Sequence, residues 1–109
     1  MAIEQRLFGP KEADTSQMLE YTVTYPVTIV GIYLSGGSAN RTIQLWVRPA
    51  TATAVLDTQR LLQASPVIAT DFSRYGGELN YPLIEGDRIY VQASGAGVNI
   101  TLVGVDNRA

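Results

Sequence analysis

Hydrophobic and polar residues alternate with a period of two along much of this chain, the pattern typical of half-buried β-strands. The clearest case is the segment 41–48, where Ile43, Leu45 and Val47 share one face and polar residues share the other. Near the C-terminus, two further alternating segments at 88–94 and 98–103 are joined by a glycine-rich turn. We therefore predict a strand at the first segment and a closing β-hairpin at the other two.

Shorter patterns of the same kind predict the remaining strands. The segment 27–34 is apolar at both odd- and even-numbered positions, so both faces of the strand are apolar. This is typical of a strand covered on both sides or of one that carries an interface on its outer face. Further strands are expected at 18–25, 67–72 and 79–83. Seven or eight short strands, with turn signals about every 8–12 residues, predict an all-β protein: one antiparallel, jelly-roll-like β-sandwich over residues 20–109.

Two segments do not follow this pattern. Residues 1–19 mix charged and apolar residues without a sustained period, so we expect an N-terminal arm, with one possible helical turn at Pro10-Lys11-Glu12-Ala13. Residues 50–66 are ambiguous, because the stretch 57–64 fits either a capped short helix or an extended segment.

Composition argues against an enzyme. The chain has neither cysteine nor histidine and a single lysine, so no thiolate, no neutral-pH proton shuttle and no evident base for a serine or threonine nucleophile is present. We expect no catalytic residue, no metal and no cofactor. The charged sequence Glu85-Gly86-Asp87-Arg88 is interpreted as a turn, in which Gly86 takes a positive φ and Asp87 binds nearby backbone amides.

Charge and hydropathy limit the partners. Eight basic and ten acidic residues are scattered singly and give a net charge of -2, so no stripe exists to neutralise a nucleic acid backbone. No apolar run approaches the roughly 20 residues needed to cross a bilayer. Residues 1–6 show no secretory signal, which predicts synthesis in a cytoplasm.

Strand parity places three large rings on outer faces of the predicted sheets: Tyr33, Trp46 and Tyr90. Each such ring buries about 150–250 Å² when covered, enough together to form a substantial apolar patch. We expect these residues to form an oligomer or partner interface. The alternative is that the rings lie apart, or are covered by the N-terminal arm or by residues 50–66.

Three segments together resemble small tailed-phage virion proteins with a β-sandwich or jelly-roll fold. They are the strand 42–49, the element Leu83-x-x-Gly86-Asp87-x-Ile89-x-Val91, and the strand 98–105. The resemblance implies a virion structural protein, most simply a capsid decoration or cement protein that binds between major capsid protein subunits. It also implies a homo-oligomer, with a trimer favoured, and an N-terminal arm that docks on the capsid through Leu7, Phe8 and Pro10. The alternative is a tail or fibre domain that binds a glycan or receptor through exposed Trp46 and tyrosines.

Overall fold

The computed structural model describes residues 4–37, 39–55, 60–67, 72–75 and 81–107, with the backbone alone considered for 60–66 and 72–75. Nine strands and no helix occur in these ranges, so no described segment forms the long apolar helix that spanning a bilayer demands. The strands are β1 (Glu4–Glu12), β2 (Met18–Thr22), β3 (Val27–Ser35), β4 (Arg41–Arg48), β5 (Arg60–Val67), β6 (Phe72–Tyr75), β7 (Tyr81–Leu83), β8 (Arg88–Ala93) and β9 (Asn99–Asp106).

The strands form two antiparallel sheets. Sheet A has the order β1-β9-β3-β6, and β7 also pairs with β3. The two short strands share one edge, since β6 pairs with residues 32–35 of β3 and β7 pairs with residues 27–29. Sheet B has the order β2-β8-β4-β5.

This strand order is that of a jelly roll. Taking β6 and β7 as one position, the first strand pairs with the last, the second with the next to last, and so on inward to the β4-β5 hairpin. Such nested pairing is what results when one long antiparallel ribbon folds over itself into two facing sheets. The predicted all-β sandwich of jelly-roll type is therefore confirmed. The closing β-hairpin predicted from segments 88–94 and 98–103 is wrong, because β8 pairs with β2 and β4 in sheet B and β9 pairs with β1 and β3 in sheet A. Alternation predicts both strands correctly, but the turn between them crosses from one sheet to the other.

The core lies between the sheets and follows the predicted alternation. Ile43 and Leu45 of β4 and Ile89 and Val91 of β8 are all fully buried. Sheet A supplies the opposing layer, which includes Ile29, Ile32 and Leu34 of β3 and Ile100 and Leu102 of β9. Each such side chain contributes about 1.5–3 kcal/mol on burial, so this layer supplies the main stabilisation of the fold.

Residues 4–12 form a strand, not the free arm predicted from sequence, and the helical turn at 10–13 is absent. β1 pairs with β9 from Glu4↔Val105 to Glu12↔Asn99, with bulges on either side of Phe8. Pairing with β9 gives hydrogen-bond partners to backbone N–H and C=O groups that a single helical turn would leave without partners. Such pairing outweighs the weak helix propensity of residues 10–13.

The ambiguous middle of the chain is extended where it is described. Residues 60–67 form β5, so the extended interpretation is correct there and the helical one is wrong, while 56–59 lie outside the described residues. Val67 ends β5 in sheet B and Phe72 begins β6 in sheet A, so the single strand predicted at 67–72 is wrong. Gly76 and Gly77, whose sequence fits a turn, lie outside the described residues.

Candidate functional site

The three rings expected at an interface lie on two different surfaces. Tyr33 is on β3 of sheet A, opposite Thr101 of β9. Trp46 and Tyr90 are direct cross-strand partners on sheet B. Because the sheets face each other across the core, their outer faces point in opposite directions. The rings therefore do not form one continuous patch.

Trp46 is buried within its own chain. It shares the outer-face parity of Gln44 and Arg48, yet only 2% of its surface is exposed. Its indole Nε1 is buried without a hydrogen-bond acceptor. The expectation of a solvent-exposed indole was wrong, because β4 is a central strand between β8 and β5 and parity does not reveal what covers a sheet. The alternative stated above, that a ring is covered by another part of the chain, is correct for Trp46.

Two of the three expected docking residues, Leu7 and Phe8, instead pack against the core. Phe8 stacks on Tyr21 of β2, with ring centroids 5.9 Å apart. Leu7 lies over Gly104, where an added Cβ would come within 2.8 Å of its Cδ1. These contacts correct the prediction that the two side chains are free to dock on a capsid. Pro10 remains exposed.

Tyr33 and Pro10 line an open groove of about 450 Å³ on the outer face of sheet A. The other lining residues are Glu4, Gln5, Arg6, Thr101 and Val103. The groove is mainly apolar, with one carboxylate and one guanidinium among its lining groups. It brings together one predicted interface residue and one predicted docking residue.

The outer face of sheet B carries three directly opposed side-chain pairs from β4 and β8. We call this set the sheet B ladder: Gln44↔Gln92, Trp46↔Tyr90 and Arg48↔Arg88. Side chains at opposed positions have Cβ atoms about 4.5–5.5 Å apart. Along the two strands, this face therefore carries first an amide pair, then an aromatic pair and then an arginine pair.

The amide end of the sheet B ladder forms a polar depression of about 210 Å³, lined by Thr42, Gln44, Gln92, Ala93 and Ser94. Gln92 Nε2 donates to the Thr15 carbonyl at 3.0 Å, which fixes the orientation of its amide. Ser94 Oγ accepts from the Thr42 backbone N–H at 2.8 Å. Hydroxyl and amide groups of this kind can hydrogen-bond a polar ligand.

The arginine end has no acidic partner among the described residues. Arg48 Nη1 donates to the Tyr90 hydroxyl at 3.4 Å, while Arg48 Nε is buried without an acceptor. Neither Arg48 nor Arg88 forms an ion pair within the described residues, where the single salt bridge joins Lys11 to Glu20. Like charges directly opposed across two strands are destabilising.

β2 extends this surface with an apolar side chain. Leu19 pairs with Tyr90 and is 44% exposed. The sequence placed Arg48, Trp46 and Tyr90 on outer faces, but it did not show which strands are neighbours. The strand order therefore reveals what the sequence could not: Leu19 lies beside Tyr90 in the row of the aromatic pair, and the two opposed arginines form the next row along the strands.

The turn at residues 84–87 is confirmed as a structural element. Gly86 has φ +95°, and the Asp87 carboxylate accepts the Ile84 and Ala50 backbone N–H groups, each at 2.9 Å. Asp87 therefore ties the β7-β8 turn to the β4-β5 loop. No cluster of three potential metal ligands occurs in the portion of the chain described.

Two ionisable groups outside the ladder are perturbed by local contacts. The pKa of Asp14 is lowered because the Ser16 backbone N–H and hydroxyl both donate to its carboxylate at 3.0 Å. The pKa of Tyr21 is raised, first by burial and then by the nearby Tyr25. Neither Asp14 nor Tyr21 is one of the six ladder residues, so we treat both contacts as part of the fold and not of the candidate site.

Comparisons with protein-family models, curated proteins and solved structures found no match for this chain.

Proposed function

We propose that this protein is a phage virion structural protein that decorates the capsid and binds between major capsid protein subunits. The observation that carries the proposal is the group Leu19, Tyr90 and Arg48 on one face of sheet B. It combines an exposed apolar side chain with an aromatic ring and a guanidinium that has no acidic partner among the described residues. Tyrosine and arginine are enriched at the energetically dominant centres of protein interfaces.

The physical work of such a protein is to link neighbouring subunits. Pressure from packaged DNA pulls the shell apart, and a protein bound across a subunit boundary adds contact area that exists only in the assembled lattice. Binding to the assembled state alone stabilises that state by linkage. A stable contact requires about 1,200 Å² or more of total buried surface, so residues around the ladder must contribute as well.

The two outer faces are also consistent with a homo-oligomer on the shell. Sheet B presents the ladder, and the opposite face of sheet A presents the groove at Tyr33. Because sheet B faces the shell in this proposal, contacts between copies would use other surfaces, such as the groove at Tyr33 on sheet A. The trimer favoured from the resemblance would be a ring closed by such contacts.

A second candidate is a tail or fibre domain that binds a glycan, and the polar depression at Gln44 and Gln92 favours it. The burial of Trp46 weighs against this candidate, because the indole is not available as a stacking platform for a sugar ring. A glycan would have to bind through amide and hydroxyl groups and through the smaller tyrosine rings, such as that of Tyr90.

Co-sedimentation with expanded capsids that lack this protein tests the proposal. Saturable binding at a fixed copy number, with a higher temperature of capsid rupture, is the expected result. In a parallel experiment, the purified protein is tested for binding on a glycan array. Absence of capsid binding would overturn the decoration role, and selective glycan binding in its place would establish the second candidate.

A further inference from the structure

We propose that Arg48 and Arg88, together with the Tyr90 hydroxyl, form a site on the sheet B ladder for a carboxylate, supplied in an assembly by an acidic side chain of a protein partner. The site lies on the docking face described above. It does not depend on that partner being a capsid, because it is defined by the chemistry of this chain alone.

The first argument is electrostatic. Arg48 and Arg88 occupy directly opposed positions on β4 and β8, so two partly exposed positive side chains lie next to each other. No described acidic residue pairs with either. Asp87, the neighbour of Arg88 in the chain, is buried and has both oxygens engaged by backbone amides. An anion placed between the guanidinium groups would turn a repulsive pair into two attractive ones.

The second argument is the distribution of hydrogen-bond donors. Arg48 Nε and Trp46 Nε1 are both buried without acceptors, on the same face of the same strand. Because the chain itself covers both nitrogens, a carboxylate from a partner would bind the terminal Nη groups of Arg48 and not these two donors. A carboxylate supplies acceptors and matches the planar geometry of a guanidinium.

The surroundings favour a protein as the source of the carboxylate. Leu19 is exposed in the next strand and pairs with Tyr90, so an acidic side chain bound here would have apolar surface beside it. Protein interfaces have this composition, whereas the one tryptophan of the chain, the largest ring that could stack on a sugar, is covered. An acidic sugar is the competing source.

The site can be tested with small anions by nuclear magnetic resonance of ¹⁵N-labelled protein. The chain has one tryptophan, so its single indole N–H signal reports on the ladder without ambiguity. Titration with sodium glutarate should give saturable shifts of the Trp46 indole and the Arg48 Nε–H signals. Sodium chloride at equal ionic strength should not.

Matched variants define the residues. Arg88→Gln should weaken glutarate binding by about tenfold or more, since hydrogen bonds to charged groups are among the stronger ones. Arg88→Lys keeps the positive charge but loses the forked donors of the guanidinium group, so this variant should bind glutarate with intermediate affinity. Arg6→Gln on sheet A makes the same charge change on the opposite face and should bind as the wild type does.

Two results would overturn the site: equal shifts in glutarate and chloride, or unchanged glutarate affinity in a folded Arg88→Gln protein. The source is then tested with a short glutamate-rich peptide and an oligogalacturonate of equal charge. Tighter binding of the peptide supports a protein partner, and tighter binding of the sugar acid overturns that assignment. Capsid binding is measured separately, so failure of this site and failure of the decoration role are distinct results.

Discussion

Phe8 of β1 and Tyr21 of β2 stack with their ring centroids 5.9 Å apart and their planes inclined by 25°. β1 belongs to sheet A and β2 to sheet B, so the pair closes one side of the sandwich. Gln5 Nε2 donates to the Tyr25 hydroxyl at 2.9 Å and adds a second link on this side. The first strand therefore links sheet A to β2 and to the β2-β3 loop along this edge.

Replacing Phe8 with alanine should destabilise the fold by about 2 kcal/mol, less than for a fully buried phenylalanine because this ring is only half-buried. Urea denaturation measures the change. Arg6→Ala, an exposed position on the same strand, should change stability by no more than about 0.5 kcal/mol. An unchanged midpoint for Phe8→Ala would instead indicate a free side chain available for docking.

Tyr21 makes stability depend on alkaline pH. Burial raises its pKa above the ordinary value of 10.0, so folding favours the neutral phenol. That contribution is complete below the pKa of the unfolded chain and is lost as the pH rises from about 10 through the folded-state pKa. Denaturation midpoints measured from pH 8 to 11 should fall less steeply for Tyr21→Phe. Parallel curves for the two proteins would refute the assignment.

Trp46 should emit blue-shifted fluorescence and resist acrylamide quenching even in dilute, monomeric protein, because only 2% of its surface is exposed. Emission should not change with protein concentration, so fluorescence does not report on oligomer formation. Red-shifted emission at low concentration that moves to the blue on association would show that copies of the chain cover the indole.

Asp87→Ala should destabilise the protein by about 2–4 kcal/mol, because two backbone N–H groups, on Ile84 and Ala50, lose a charged acceptor. Thermal unfolding measures this loss. Glu85→Ala, an exposed change in the same turn, is the matched control and should be nearly neutral. Equal small effects from the two variants would contradict the role of Asp87 in joining the loops.

The sequence predicted those features that depend on local periodicity. Alternation identified the inner faces at Ile43 and Ile89, and the Gly86-Asp87 pair identified the turn, because each depends on neighbouring residues. It did not predict that β1 joins β9, since residues 4–12 carry bulges and a Gly-Pro step that interrupt the period. Pairing partners are a property of the folded chain.

The candidate site shows the same limit. Parity placed Trp46 on an outer face, yet which segment covers an outer face depends on tertiary packing, and the indole is buried. The opposition of Arg48 and Arg88 required the β4-β8 register, which no local pattern encodes. Sequence thus identified residue types with interface chemistry, and the topology showed which of them meet.

The most direct test of the account is a cryo-electron microscopy reconstruction of expanded capsids decorated with this protein. We expect density at subunit boundaries in which the outer face of sheet B contacts the shell, with Leu19, Arg88 and Tyr90 in the contact. Undecorated capsids at saturating protein, or contact through the groove at Tyr33 with the sheet B ladder facing solvent, would contradict the account.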